Sequence, residues 1–424
     1  MKKIADGAAE RIVSSADLEA HIDNFLASHE SKLERLLLIP PDHTRLNSRA
    51  GEITAYIYNK LKDSCIINIM PALGTHFPMT EEQCHMMFGD SIPMDTYLPH
   101  DWRNALVELG EIPSPRISEL SEGKLDFSMQ VAVNKELIEG NYDLILSIGQ
   151  IVPHEVIGMA NYTKNILIGV GGGDTINKSH YLGAVYGMER IMGETDSPVR
   201  AVLNEGFDKY VRPKTNTQFI LTVIGKEEDE LVMRGVYMGD DDDTFAEACE
   251  LSRAVNLDNV SKPIQKCVVY LDPEEFTSTW LGNKSIYRTR KAMANGGELI
   301  VLAPELHTFG EDPEIDRLIR KYGYLGTDVT LKDVKENEEL ANNLSAAAHL
   351  IHGTSDGRFN ITYCPGDQVS EEEIVSVGYK YMPFEKAVQK YNYKELKDGW
   401  NTVNGEEVFY ISNPALGLWQ ADLS

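Results

Sequence analysis

The chain has 424 residues, with 66 acidic against 40 basic side chains and a net charge of −26. Nucleic acids and anionic membranes call for a basic footprint, so both are excluded as partners. The length predicts two domains of ordinary size. Five scattered cysteines (Cys65, Cys84, Cys249, Cys267, Cys364), without a CxxC pair, predict a reducing compartment. The opening "MKKIADGAAERIVSS" has no apolar run behind its lysines, and no apolar stretch is long enough to span a bilayer. The expected location is cytoplasmic.

In chain order, "RLLLIPPDHTR" reads as a buried strand, Leu36–Ile39, running into a polar loop. "SRAGEITAYIYNKLKDS" has helical periodicity. "CIINIMPALGTHFPMT" is a second buried strand, and Thr80 in "TEEQ" opens a helix with a capping box. "YDLILSIG" and "NILIGV" read as two more strands. Alternating strands and helices predict an α/β fold with a mainly parallel sheet, whose ligands gather beyond the carboxyl ends of the strands. Asp42, His43 and Arg45 follow the first strand, His76 the second, and His154 follows "LILSIG". "TQFILTVIG" and "ELVMRGVYMGD" predict paired strands, and Asp240–Asp243 a helix start.

"NVSKPIQK" reads as a linker. "CVVYLD", a helix through "KSIYRTRKAMANGG", and "ELIVLAPEL" restart the alternation. "NNLSAAAHLIHG" reads as a helix, "RFNITYC" as a strand, and "EVFYISNPALGLWQADLS" as a docked terminus. The expectation is two α/β domains with mainly parallel sheets and an active site in the cleft between them. The first covers 1–258 and is joined by 398–424; the second covers 262–397.

The run "GVGGGD" follows a presumed strand, as a dinucleotide fingerprint must. Asp174 stands where that fingerprint needs glycine or alanine, and its carboxylate would repel a pyrophosphate. A tight turn with positive φ is the plainer reading. His154 and His180 lie 26 residues apart, which is no zinc spacing. Lys164 precedes an apolar run, where desolvation lowers a lysine's pKa and makes its amine reactive. No GxSxG or P-loop occurs.

Together, "DHTR" at 42–45, "ALGTHFPMT" with His76, His154 ten residues before Lys164, His180 sixteen after it, and "NKSIYRTRKAM" resemble the lactate racemase family over most of the chain. The resemblance implies a nickel-pincer nucleotide, a pyridinium-3,5-bisthiocarboxylic acid mononucleotide holding nickel. It implies attachment through a thioamide at Lys164, and His180 as the protein's ligand to the metal. It implies His76 and His154 as the two bases, Arg45 and Lys291 on the substrate carboxylate, and Asp42 and Tyr287 against the cofactor. Cofactor-synthesis proteins are implied partners. The reaction implied is inversion at C2 of a small-molecule 2-hydroxy acid: hydride leaves to the cofactor and returns to the other face.

Three features depart from the lactate-specific pattern. "ANYT" precedes Lys164, Arg288 stands where the family has a neutral amide, and "HGTSDGRFNITYC" lacks a clear counterpart of the tryptophan that walls the lactate pocket. The expected substrate is a larger, aldonate-type polyhydroxy acid, with lactate or another short acid as the alternative. His307 and Glu311 in "ELHTFGED" read equally as a distal-hydroxyl site or a helix cap. Two rivals remain: a dehydrogenase with free NAD, and a non-catalytic binder of small molecules or metal.

Overall fold

The computed structural model describes residues 2–29, 32–228 and 230–422. It contains two compact units, residues 1–182 with 191–256, and residues 183–190 with 257–424. Both are α/β.

The strands of the first unit are β1 (Ile4–Gly7), β2 (Arg35–Ile39), β3 (Ile66–Ile69), β4 (Leu106–Ile112), β5 (Met129–Asn134), β6 (Leu144–Gln150), β7 (Pro153–His154), β8 (Gly158–Met159), β9 (Thr217–Glu227) and β10 (Glu230–Gly239). Six of them form a sheet in the order β1-β10-β9-β6-β2-β3. The stretch β9-β6-β2-β3 is parallel, and β10 and β1 add an antiparallel edge. Leu36, Leu37, Leu38 and Ile39 are all fully buried. An unbroken apolar run is what a central parallel strand needs, because both its faces are covered.

Helices Ser15–Ala27, Ala50–Leu61 and Glu81–Phe88 send Leu18, Ile22, Phe25, Ile53, Ile57 and Phe88 into one core with alternate strand residues. The Thr80 capping box forms: its hydroxyl accepts from the Gln83 N–H, and the Gln83 amide oxygen accepts from the Thr80 N–H. β4 and β5 make a separate antiparallel pair, as do the short β7 and β8.

The second unit contains β11 (Asp258–Asn259), β12 (Ile264–Tyr270), β13 (Met293–Ala303), β14 (Asn360–Pro365), β15 (Lys380–Tyr381), β16 (Gly399–Val403), β17 (Glu406–Ile411) and β18 (Trp419–Gln420). Its sheet runs β15-β14-β13-β12-β17-β16, parallel except for β16. Val268, Ile300, Leu302, Val408 and Tyr410 share its core.

Four sequence expectations are corrected. "NILIGV" is a π-helical turn, Asn165–Gly169, and not a strand; a short apolar run cannot by itself distinguish a buried strand from a buried helix. The helix expected through "KSIYRTRKAMANGG" is one turn, Lys284–Tyr287, and β13 begins at Met293. Residues 398–424 do not join the first unit: β17 sits inside the second sheet beside β12, and β18 pairs with β11. The apolar alternation in "EVFYIS" fits a strand of either sheet, so composition could not choose between them. "NVSKPIQK" is no free linker, since the last residue of β11 and the start of β12 lie within it.

Candidate active site

Three chain turns leave the carboxyl ends of adjacent parallel strands in the first unit. Asp42 and Arg45 follow β2, His76 follows β3, and His154 follows β6. These four side chains, with Lys164 and His180, line one cavity of about 280 Å³. Tyr287, Arg288 and Lys291 belong to the second unit, around its Lys284–Tyr287 turn. There the tail runs alongside: the Arg288 and Lys291 carbonyls accept from the N–H groups of Trp419 and Ala421 at 3.1 Å each.

Asp42 is 4% exposed. Burial opposes its charge, but hydrogen bonds from His76 and Thr44 outweigh this and hold the carboxyl below its usual pKa. Its Oδ2 faces His76 Nδ1 at 2.6 Å, and its Oδ1 accepts from the Thr44 N–H at 3.1 Å. An ionised carboxylate can only accept, so His76 Nδ1 carries the proton and Nε2 keeps its lone pair. His76 is thereby set as a base.

His154 has the opposite arrangement. Its Nδ1 accepts from the Val156 N–H at 3.1 Å, so the neutral ring carries its proton on Nε2. The β7–β8 pairing, with His154 opposite Gly158, fixes the ring's origin.

Lys164 opens the π-helical turn. Burial pushes its ammonium pKa down to about 8, the Arg45 and Arg200 cations push the same way, and Glu155 and Asp42 oppose. A substantial share of the amine is then neutral near pH 8, as a nucleophile requires. His180 lies on the helix Gly173–Tyr186, where its Nδ1 donates to the Ile176 carbonyl at 2.6 Å. Burial also lowers the pKa of this ring. The neutral ring keeps an Nε2 lone pair, the form in which histidine ligates a metal.

Among the described residues no group of three or more His, Cys, Asp or Glu is arranged to hold a metal ion.

The three glycines serve close approach. None of Gly171, Gly172 and Gly173 has positive φ, so the expected positive-φ turn is corrected. A Cβ on Gly171 would lie 1.8 Å from the Leu167 carbonyl oxygen, and one on Gly173 would lie 3.1 Å from the Trp102 ring. Buried His100 donates from Nε2 to the Gly171 carbonyl at 3.1 Å and accepts from the Asn134 amide at Nδ1.

Sequence reading missed Asn165, which also lines the cavity. Its amide donates to the Ile39 carbonyl at 3.0 Å and to Ser147 Oγ at 2.9 Å, tying the Lys164 turn to the end of β2 and the middle of β6. The available signal was a polar residue heading an apolar run. In the second unit, Glu311 accepts from Ser278 Oγ at 2.5 Å, while Asp312 caps the helix Pro313–Tyr322; neither Glu311 nor exposed His307 is that cap.

Residues 5–191 match the family model described as the lactate racemase N-terminal domain. A lactate racemase from Thermoanaerobacterium thermosaccharolyticum is 24% identical over 341 residues, spanning 73% of this chain and 71% of that protein. A crystal structure of a Thermotoga maritima protein superposes with a TM-score of 0.78 at 23% identity, covering 96% of this chain and 98% of that one. The lactate racemase apoprotein from T. thermosaccharolyticum gives 0.68 at 17% identity, covering 92% and 87%. The fold is thus that of a two-unit α/β protein with its polar cavity at the strand ends of the first sheet. Residues 5–191 are thus similar to the N-terminal domain of lactate racemases, and the fold as a whole is similar to that of the lactate racemase apoprotein.

Proposed function

We propose that the protein is an isomerase that inverts the C2 centre of a 2-hydroxy acid, using a nickel-pincer nucleotide attached at Lys164. One observation carries the reading: Asp42, Arg45, His76, His154, Lys164 and His180, far apart in sequence, line one cavity. The match of residues 5–191 to the lactate racemase N-terminal model, and the 24% identical lactate racemase, support the racemase class. The low-pKa amine of Lys164 suits covalent attachment, and the neutral ring of His180 suits a single protein ligand to nickel. When bound, the nucleotide supplies an electrophilic hydride acceptor.

The chain's own residues handle the proton and the carboxylate. His76 Nε2 takes the hydroxyl proton while Asp42 stabilises the imidazolium that results. His154, implied above as the second base, instead presents Nε2–H in this tautomer and is assigned as a donor to the same oxygen. The exposed Arg45 guanidinium offers a bidentate partner to the carboxylate. From the second unit, Lys291 and Arg288 are assigned to the substrate and Tyr287 to the cofactor. Arg288, in place of a neutral amide, favours an acid with additional hydroxyls, an aldonate, over lactate.

Two measurements test this on protein made alongside the cofactor-synthesis proteins. Peptide mass spectrometry is expected to find an adduct on Lys164, with nickel present by elemental analysis. Epimerisation of gluconate and mannonate is expected to exceed that of lactate. An unmodified, metal-free protein that still inverts a stereocentre defeats the cofactor assignment. Turnover of lactate alone defeats the substrate assignment.

A further inference from the structure

Asn161 and Tyr162, just ahead of Lys164, both have left-handed backbone, with φ of 63° and 59°. Neither is glycine, and a bulky aromatic residue is strained there. Such a turn persists only if its surroundings over-determine it. Tyr162 is buried, with its ring stacked on Phe245 at 4.9 Å and its hydroxyl donating to Asp242 Oδ1 at 3.1 Å. Asn161 Oδ1 accepts from the Tyr162 N–H at 2.7 Å.

The other restraints converge on one guanidinium. Arg200 Nη2 donates to the Met159 carbonyl at 2.6 Å, and Nη1 donates to the Asn161 carbonyl at 3.2 Å and to Thr163 Oγ1 at 2.9 Å. The Thr163 hydroxyl in turn donates to Asn204 Oδ1 at 2.7 Å. Met159 lies opposite Pro153 in the β7–β8 pair that carries His154. One side chain thus grips both the His154 hairpin and the turn leading into Lys164.

Arg200 is 3% exposed, stands 4.4 Å from the Phe245 ring centroid, and starts from the first turn of the helix Pro198–Gly206. That helix is itself anchored to the hairpin: Ser197 Oγ caps it by accepting from the Arg200 N–H, and donates to the Ile157 carbonyl. A cation buried on carbonyl and hydroxyl oxygens, without an ion pair among the described residues, is costly to keep. Its three bonds all go to the segment between the two functional side chains.

We propose that Arg200 is a positioning residue that sets where the Lys164 amine stands relative to His154. The use made of that spacing rests on the functional reading above; the restraint itself does not. The test uses full-length protein made with the cofactor-synthesis proteins. Arg200→Lys keeps the charge but cannot span three oxygens. Amide exchange in peptides covering 159–165 is expected to rise about tenfold while β2 and β6 stay protected. Turnover per adducted chain is expected to fall about tenfold or more, with KM within about twofold. Thr163→Val removes one acceptor and is expected to move both readouts the same way by less; it decides the matter if Arg200→Lys does not fold. Wild-type exchange in 159–165, or unchanged turnover per adducted chain, overturns the proposal. Absence of an adduct on the wild-type protein would instead defeat the functional reading, and the exchange measurement would still decide the restraint.

Discussion

Asp42 shows how one buried carboxylate sets a neighbour's chemistry. Held ionised, it fixes the proton of His76 on Nδ1 and leaves Nε2 as the base. Asp42→Asn keeps an acceptor for Thr44 but removes the charge that stabilises the imidazolium. Turnover is expected to fall by about 10²–10⁴, read from kcat with substrate saturating. The same group makes stability depend on pH. Its folded pKa is depressed, so its contribution is complete above the ordinary aspartate value and is lost as pH falls through the lower folded value. The Tm gap between wild type and Asp42→Asn should therefore be widest near neutrality and close below pH about 4, by calorimetry at several pH values. Lys164→Arg keeps the cation but loses the amine. It should leave no adduct by peptide mass spectrometry and no racemase turnover.

At the scale of single elements, the glycine run makes a graded prediction. Gly171→Ala forces a Cβ to 1.8 Å from backbone, whereas a Cβ on Gly172 meets only the flexible end of Leu106 at 3.1 Å and Ala132 at 3.4 Å. The first should cost about 1–3 kcal/mol in thermal unfolding and the second clearly less. These elements also show how far sequence could be read. The β2 and β6 strands were legible because parallel strands covered on both faces are written as unbroken apolar runs, β3 was legible from its isoleucines although it is a half-exposed edge strand, and the residues after all three marked the cavity. The Thr80 box was legible because both its members are local. "NILIGV" was not, because six residues are too few for a period to separate helix from strand. Arg200 was invisible. Its acceptors are two backbone carbonyls and a hydroxyl some 37–41 residues away, which leave no mark on composition.

For the molecule as a whole, the net charge of −26 sets a background of self-repulsion. Raising salt from about 10 mM to about 150 mM shortens the screening length from about 30 Å to about 8 Å. Tm is expected to rise over that range, measured in a chloride salt at fixed pH. No helix among the described residues is long and apolar enough to cross a membrane. The position of β17 inside the second sheet has a consequence for how this protein is made. The strand is contributed by residues 406–411, whereas β12 ends at Tyr270, yet β12 depends on it for one of its two neighbours. A ribosome must release the chain through residue 411 before that sheet can close, so β12 waits with a bare flank while the intervening residues are made. A premature stop after residue 398 would remove β16 and β17 together, and the shortened product should accumulate as insoluble aggregate.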